Sequence, residues 1–301
     1  MLRSLLVLLI ALLAVTLTCV IPVFGAASAA ANAGISQSAA KQYYLALGDS
    51  LAAGDQPNRN ATQGYANQLD TELRSHGRVL SLDDLGCAGE TTWTFIHGGV
   101  CWYPGEPGMG DQLRAALDFL QAHSGHVPLI TIDIGGNDLN ACDGLSSVSA
   151  AGACGESLIP RMSHNLTAIL KTLRAADPSA VITGLNYYVP EVVYWIDGAA
   201  GRSYATTQLS VTKSMNAALA ADYKAAPARY ADVFSKFKSG DLTDKTTLPG
   251  YGSVPVAVAL VCQWTWMCAA PPEGGDDHAN KEGYGAIAAA IYAVLPASIA
   301  K

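Results

Sequence analysis

Residues 43–54 read YYLALGDSLAAG, in which five apolar or aromatic positions are followed by a polar turn and then by small residues. An uninterrupted apolar run is typical of a strand that is buried on both faces of a parallel sheet. Gly48 suits a tight turn out of that strand, and Ser50 would then stand at the carboxyl end of the strand, where open α/β sheets bind ligands. Because Gly, Asp and Ser are also common turn formers, this stretch alone leaves Ser50 as either a nucleophile or a turn residue.

The alternation of strand and helix continues along the chain. Short apolar runs at 43–47, 79–85, 127–134, 180–185 and 230–234 predict strands, and helical periodicity predicts helices at 65–75, 112–123, 158–176, 206–224 and 282–295. Strands that alternate with helices predict a parallel sheet with helices on both faces. After about residue 34, neither a repeat nor a Pro- or Ser-rich linker divides the sequence, so we expect one domain over residues 35–301.

The N-terminus has the pattern of a secretory signal. One arginine precedes an apolar run over residues 5–24, and small residues follow as far as Ala33. This pattern predicts a signal peptide over residues 1–33, with cleavage near residues 29–33, and therefore a secreted, extracellular protein without stable membrane insertion. The alternative is a retained membrane anchor, because about 20 apolar residues can span a bilayer.

Charge and cysteine content narrow the class of protein further. The chain of 301 residues is 50% hydrophobic and carries a net charge of −7 without a Lys/Arg cluster, so we exclude disorder and do not expect nucleic acid as a partner. Beyond the leader, six cysteines remain, and an even number in an exported chain favours disulfides. They form couples that are local in sequence, each expected within a loop, which predicts the pairs Cys87–Cys101, Cys142–Cys154 and Cys262–Cys268. A zinc site is the alternative, but the sequence has no C-x-x-C pair.

Three further segments carry polar residues that could bind a ligand or take part in catalysis. GCAGETT at residues 86–92 follows the second predicted strand, and its glycines can present a backbone N–H to a ligand oxygen. IDIGGND at residues 132–138 follows the third, and an Asn amide offers donors without charge. EGGDDHAN at residues 273–280 contains a histidine that can accept a serine proton. Taken singly, these segments can equally be a loop beside a disulfide, a Gly-Asn turn and a solvated surface histidine.

Together, the blocks GDSLAAG, GCAGETT, GGND and DDHAN occur in this order between Gly48 and Asn280, and the chain resembles the GDSL, or SGNH, hydrolase family of secreted esterases and lipases. The resemblance implies a three-layer α/β/α sandwich with a flavodoxin-like parallel sheet. It also implies acyl transfer by a serine, without metal or organic cofactor. The residues that match the family's roles are Ser50 as nucleophile, the Ser50 N–H, Gly89 and Asn137 as oxyanion donors, and His278 as general base.

The match to the family has one gap. The usual final block places an acid three residues before the histidine, where this chain has Gly275. Asp276, two residues before His278, is the predicted orienting acid. Asp277 is adjacent to the histidine in sequence and is expected to reach the ring less well, and a backbone carbonyl is the alternative that some members of the family use.

The predicted function is hydrolysis of carboxylic esters, on small-molecule or lipid substrates, by a secreted monomeric esterase or lipase. Deacetylation of a polysaccharide on the same fold is an alternative, since Trp264 and Trp266 between Cys262 and Cys268 could contact a sugar, an acyl chain or the core. The alternative from another class is a non-catalytic secreted binding protein, which the missing acid at Gly275 would favour.

Overall fold

The computed structural model describes residues 40–103, 108–142, 145 and 147–301. The predicted signal peptide, the alternative of a membrane anchor and the predicted domain start at residue 35 lie outside this range. Residues 40–301 pack as one compact unit. Among the described helices, none combines the length and the apolar character needed to cross a membrane.

Five parallel strands form the central sheet, in the order β2-β1-β3-β4-β5. Their bounds are β1 Tyr43–Gly48, β2 Ser81–Asp84, β3 Leu129–Asp133, β4 Val181–Leu185 and β5 Arg229–Ala231. This order is the flavodoxin-like one, and the prediction of that sheet is confirmed. Because the strand order reverses direction at β1 and β3, the carboxyl ends of these two strands open a crevice between them, which is where this class of sheet binds ligands.

Helices cover both faces of the sheet, as a sheet with apolar residues on both sides requires. Tyr44 and Ala46 of β1 point to the cluster formed with α1 and α8, whereas Leu45 and Leu47 point to the cluster formed with α3, α4 and α5. The helices are α1 Tyr65–Ser75, α2 Thr92–His97, α3 Gln112–Ala122, α4 Val148–Ala176, α5 Gly198–Ala225, α6 Val233–Lys236, α7 Val256–Trp264, α8 Lys281–Val294 and α9 Ala297–Ala300. The predicted three-layer α/β/α sandwich is confirmed.

Three 3₁₀ segments and one hairpin of the described residues lie outside the predicted elements, and the first 3₁₀ segment, Ala61–Gln63, precedes α1. The 3₁₀ segments Gly136–Cys142 and Pro190–Asp197 follow the carboxyl ends of β3 and β4. The antiparallel hairpin of β6 Lys245–Leu248 and β7 Gly252–Pro255 precedes α7. Val254 of this hairpin and Val258 of α7 share a small apolar cluster of their own, separate from the two clusters against the sheet.

Three predicted boundaries are wrong. The expected strand 230–234 ends at Ala231, because the Asp232 side chain accepts the Ser235 N–H at 3.0 Å and begins α6. Helix α4 begins at Val148 rather than at residue 158, and α5 begins at Gly198 rather than at residue 206. The additional N-terminal part of α4, residues 148–157, contains Gly155, where a Cβ would lie 2.8 Å from Val211 Cγ1. The absence of a side chain at Gly155 therefore allows α4 to pack closely on α5. Because glycine has a low helix propensity, the sequence does not indicate a helix at this position.

The six cysteines pair as predicted. The structure contains the disulfides Cys87–Cys101, Cys142–Cys154 and Cys262–Cys268. The expectation that every couple lies within a loop is wrong, since Cys154 belongs to α4 and Cys262 to α7. The third disulfide ties the last turn of α7 to the segment that leads toward His278.

Candidate active site

The chain turns sharply at the end of β1, and residues 48–52 are called the serine turn below. Gly48 has a φ of +140°, and a Cβ at this position would lie 2.1 Å from the Asp133 carbonyl oxygen. The buried side chain of Gln112 pairs with the Gly48 peptide group: the Gly48 N–H donates to Oε1 at 2.6 Å, and Nε2 donates to the Gly48 carbonyl at 2.9 Å. Helix α3 thus holds the exit of β1 together with β3, whose Asp133 carbonyl accepts the Asp49 N–H at 3.0 Å.

Two aspartates hold the other side of the serine turn. Asp133 Oδ2 accepts the N–H groups of Asp49 at 3.2 Å and Ala52 at 3.3 Å, and Asp49 Oδ1 accepts the Leu51 N–H at 3.0 Å. These N–H groups flank Ser50 on both sides. Among the described residues, none accepts a hydrogen bond from the Ser50 N–H, so this donor is free to face a ligand oxygen.

The loop after β2 lies beside the serine turn and carries the predicted oxyanion donor Gly89. Gly89 is exposed, has a φ of +84° and does not line the cavity described below. The neighbouring Glu90 is buried and accepts from the Tyr103 hydroxyl at 3.1 Å and from Gln112 Nε2 at 3.5 Å. Gln112 therefore contacts both this loop and the serine turn.

Asn137 stands after β3, at the start of the 3₁₀ segment Gly136–Cys142. Its Oδ1 accepts from Asn140 Nδ2, and its Nδ2 donates to the Glu90 carbonyl, both at 3.0 Å. These two contacts fix the orientation of the amide, and one of the two Nδ2 hydrogens remains for a substrate oxygen. Asp138 accepts the Thr92 N–H at 2.7 Å and the Thr92 hydroxyl at 2.6 Å, which joins this segment to the first turn of α2.

Residues 273–280, called the base loop below, place His278 next to two acids. His278 Nδ1 lies 2.8 Å from Asp276 Oδ1, which also accepts the His278 backbone N–H at 2.9 Å. Asp277 Oδ1 is 3.4 Å from the same Nδ1. The Tyr188 hydroxyl donates to the Asp277 carbonyl at 2.6 Å, and the backbone N–H of Trp266 donates to the His278 carbonyl at 3.1 Å. Asp276 therefore makes the contact to the ring that the family pattern expects from an acid at position 275, where this chain has glycine.

Opposing influences act on the His278 ring. Partial burial of the ring lowers the pKa of His278, but the charges of Asp277 and Asp276 and the hydrogen bond with Asp276 outweigh this effect and raise the pKa above its ordinary value. The ring is therefore more basic than a free histidine. When the Nδ1–H of His278 donates a hydrogen bond to Asp276 Oδ1, the other ring nitrogen, Nε2, is left as an acceptor.

These segments meet at one cavity of about 760 Å³, a volume within the usual range of small-molecule sites. Ser50, Asn137, Asp276 and His278 line it together. Within the described part of the chain, no hydrogen bond joins the Ser50 hydroxyl to the His278 ring, and such contacts are often long before substrate binds. The remaining wall includes the apolar side chains of Leu139, Val148, Val211, Met215 and Met267 and the tyrosines Tyr187, Tyr188, Tyr194 and Tyr204.

The disulfide-bonded segment 262–268 contributes less to this cavity than its sequence suggests. Only Met267 of its large side chains lines the cavity. Trp264 packs edge-on against Phe237, with ring centroids 5.1 Å apart, and Trp266 lines a different, smaller pocket. The two tryptophans thus serve the core and a neighbouring surface.

Sequence reasoning missed three residues of the site: Gln112, Asp133 and Tyr187. Gln112 lies on α3, away from any motif, and its role depends on a contact across 64 residues of sequence. Tyr187 follows β4, and its hydroxyl donates to Asp49 Oδ2 at 2.6 Å. Asp133 had a signal that could have been used, since a single carboxylate inside the apolar run LITID is costly to bury unless it has partners.

The base loop is also the one group of potential metal ligands found among the described residues. Oxygens of Asp276 and Asp277 and a ring nitrogen of His278 lie within 4.8 Å of one another. A histidine and two carboxylates can bind a divalent cation, but the hydrogen bonds of Asp276 Oδ1 with Nδ1 and the backbone N–H of His278 account for this grouping without one.

Comparison with known proteins agrees with this geometry. A family model described as GDSL-like Lipase/Acylhydrolase family matches residues 46–286, which is more than half of the chain. The extracellular lipase of Streptomyces rimosus has a similar structure, with a TM-score of 0.56 and 17% identity over 84% of this chain and 100% of that one. The lipase Lip_vut3 from a goat rumen metagenome has a TM-score of 0.54 and 16% identity, over 84% and 97%. The search of curated proteins found no match.

Proposed function

The chain belongs to the GDSL-like Lipase/Acylhydrolase family, and we propose that it is a secreted serine hydrolase that cleaves carboxylic esters through an acyl-enzyme on Ser50. One observation carries the proposal: Ser50, Asn137 and the His278–Asp276 pair line the same cavity at the reversal point of the sheet. A nucleophile, an uncharged donor and an oriented base around one space are the parts that acyl transfer needs.

In the proposed mechanism, His278 takes the hydroxyl proton of Ser50 through Nε2 as Ser50 Oγ attacks the ester carbonyl carbon. Asp276 holds the ring orientation and stabilises the imidazolium that forms. The Ser50 N–H and Asn137 Nδ2 donate to the oxyanion from the cavity wall, and the match to the family's blocks adds the Gly89 N–H from the loop after β2. His278 then returns its proton to the leaving alcohol. Water, activated by the same histidine, hydrolyses the acyl-enzyme and restores the serine.

Lipid or other acyl esters are the proposed substrates. Support comes from the apolar part of the wall, where Leu139, Val211, Met215 and Met267 can contact an acyl chain. The three disulfides support a secreted protein, because such bonds persist in oxidising compartments. The contacts of Trp264 and Trp266 lend polysaccharide deacetylation no support at the cavity. The contact of Asp276 with His278 supports a catalytic protein over the alternative of a non-catalytic binding protein.

The substitution Ser50→Ala tests the proposal. We expect hydrolysis of a p-nitrophenyl butyrate substrate to fall by at least about 1,000-fold, as for other serine nucleophiles, with an unchanged circular dichroism spectrum. Labelling by a fluorophosphonate probe should be lost in parallel. Ser75→Ala, an exposed serine at the end of α1, is the matched control and should keep full activity and labelling. Wild-type activity in Ser50→Ala would overturn the assignment.

A further inference from the structure

Two carboxyl groups without a cation lie buried beneath the serine turn. Asp49 is 2% exposed and Asp133 is not exposed at all. Gly48 and Asp133 are direct partners in the parallel pairing of β1 and β3, so the Asp133 side chain comes up against the turn itself. Within the described residues, no lysine or arginine forms an ion pair with either carboxyl.

Hydrogen bonds connect the pair to the serine turn and to two tyrosines. Asp133 accepts the N–H groups of Asp49 and Ala52 through Oδ2 and the Tyr65 hydroxyl through Oδ1. Asp49 accepts the Leu51 N–H through Oδ1 and the Tyr187 hydroxyl through Oδ2. The two carboxyls are neighbours, since the Asp49 N–H itself donates to Asp133 Oδ2 at 3.2 Å, and a hydrogen bond between two carboxyl groups requires that one of them keeps its proton.

The electrostatics of the pair agree with this requirement. Burial raises the pKa of Asp49, and burial together with the charge of Asp49 raises the pKa of Asp133 well above its ordinary value. Two adjacent carboxylates in a buried site do not both ionise at neutral pH. A pair that keeps one proton carries one negative charge, and the electrostatic attraction between Asp49 and His278 favours the imidazolium that the reaction forms.

The other titratable groups around the pair do not replace this proton. Burial raises the pKa of each tyrosine that faces the pair, so all of them stay neutral: Tyr44, Tyr65, Tyr187, Tyr188, Tyr223 and Tyr284. Glu90 and Asp138 face Asp49 with the same sign of charge, which discourages its ionisation. His278 is the one group among these that can carry a positive charge.

We propose that Asp49 and Asp133 share one proton, and that this singly protonated pair is the positioning unit that holds the backbone on both sides of Ser50. Asp133 is thus a positioning residue that acts through the serine turn. A neutral side chain can also accept the N–H groups of Asp49 and Ala52, so this role does not require a charge. The inference rests on the proposed role of Ser50, but it concerns the protonation and geometry of the turn, which can be measured without turnover.

Substitution of Asp133 by residues of similar size tests the proposal. Asp133→Asn keeps an acceptor for the two N–H groups and supplies a permanent donor in place of the shared proton, so we expect rescue to within about 3-fold of wild-type kcat. Asp133→Leu removes both, and we expect kcat to fall by about 100-fold or more with little change in KM. Asp177→Asn, at another buried carboxyl, which follows α4 and accepts the N–H groups of Ser179 and Ala180, is the matched control and should keep wild-type kinetics. Equal losses in Asp133→Asn and Asp133→Leu would overturn the proposal.

The pH dependence of stability tests the shared proton directly, even if Asp133→Leu does not fold. A carboxyl whose pKa is raised by folding stabilises the protein below its unfolded pKa, and this stabilisation is lost as the pH rises through the folded pKa. The Tm of the wild type relative to that of Asp133→Asn should therefore fall as the pH rises above about 4, the ordinary pKa of an aspartate, toward the raised pKa of the pair. Parallel curves would show that no proton is held and would refute the pair. Failure of the Ser50→Ala experiment would not affect this readout, so the two proposals can fail separately.

Discussion

The serine turn and the base loop supply the two halves of the proposed proton transfer, but they are held in different ways. The serine turn is buried, and side chains from other elements, Gln112 and Asp133, bind its backbone. The base loop lies nearer the surface, and the partner of its histidine is a residue only two positions away. The serine turn therefore depends on packing across the whole fold, whereas the base loop depends mainly on contacts between residues close in sequence.

A pair of glycine substitutions gives the largest expected contrast between the two regions. In Gly48→Ala, the new Cβ would meet the Asp133 carbonyl oxygen at 2.1 Å at a φ of +140°, so we expect a loss of at least about 3 kcal/mol in the free energy of unfolding. In Gly275→Ala, the φ is +83° but nothing lies within 4 Å of the Cβ, and we expect a loss of about 1 kcal/mol. Urea denaturation measures both. Similar losses would mean that the two regions are held alike.

Removal of the orienting acid should leave the fold intact and reduce catalysis. In Asp276→Asn the amide can no longer stabilise the imidazolium, so we expect kcat to fall by about 100-fold or more with Tm nearly unchanged. The double variant Asp276→Asn/Asp277→Asn should lose more activity than the single one, because Asp277 Oδ1 at 3.4 Å from Nδ1 can partly substitute. Wild-type kcat in both variants, measured with a soluble ester, would favour a backbone carbonyl as the orienting group.

The smallest expected effect is a change in pH profile. The carboxylate of Asp277 helps to raise the pKa of His278, and a general base must be neutral to accept a proton. In Asp277→Asn the pKa of His278 should therefore fall, and the acidic limb of the kcat/KM profile should move to lower pH, with kcat unchanged on the alkaline side. The Asp277 side chain is 66% exposed, so salt should weaken the difference.

The matched control for the pH profile is Glu72→Gln. It removes an acid 3.2 Å from another histidine, His76, on the exposed surface of α1. We expect the kcat/KM profile of this variant to coincide with that of the wild type. A shift toward higher pH in Asp277→Asn, or an equal shift in the control, would contradict the assigned influence of Asp277.

Much of the architecture could be predicted because its signals are local. Strands β1 and β3 are apolar runs, and each ends in turn residues that are visible in the sequence. The sequence therefore predicted both strands, and it predicted that polar groups lie at their carboxyl ends, at one edge of the sheet. The boundaries that were wrong depend on neighbours: Gly155 reads as a break in a helix until α5 packs against it, and Val233 reads as strand until Asp232 caps α6.

By itself, the sequence determined the parallel sheet, the three disulfide couples and the four blocks that carry Ser50, Gly89, Asn137 and His278 as candidates, because periodicity and turn chemistry are properties of neighbouring residues. Only the tertiary structure decided that Asp276 contacts His278 Nδ1, that Gln112 holds Gly48 and that Asp133 binds the backbone around Ser50. The physical reason is that hydrogen-bond partners and buried charges depend on distances through space, which residues far apart in the chain acquire only when the sheet and its helices have packed.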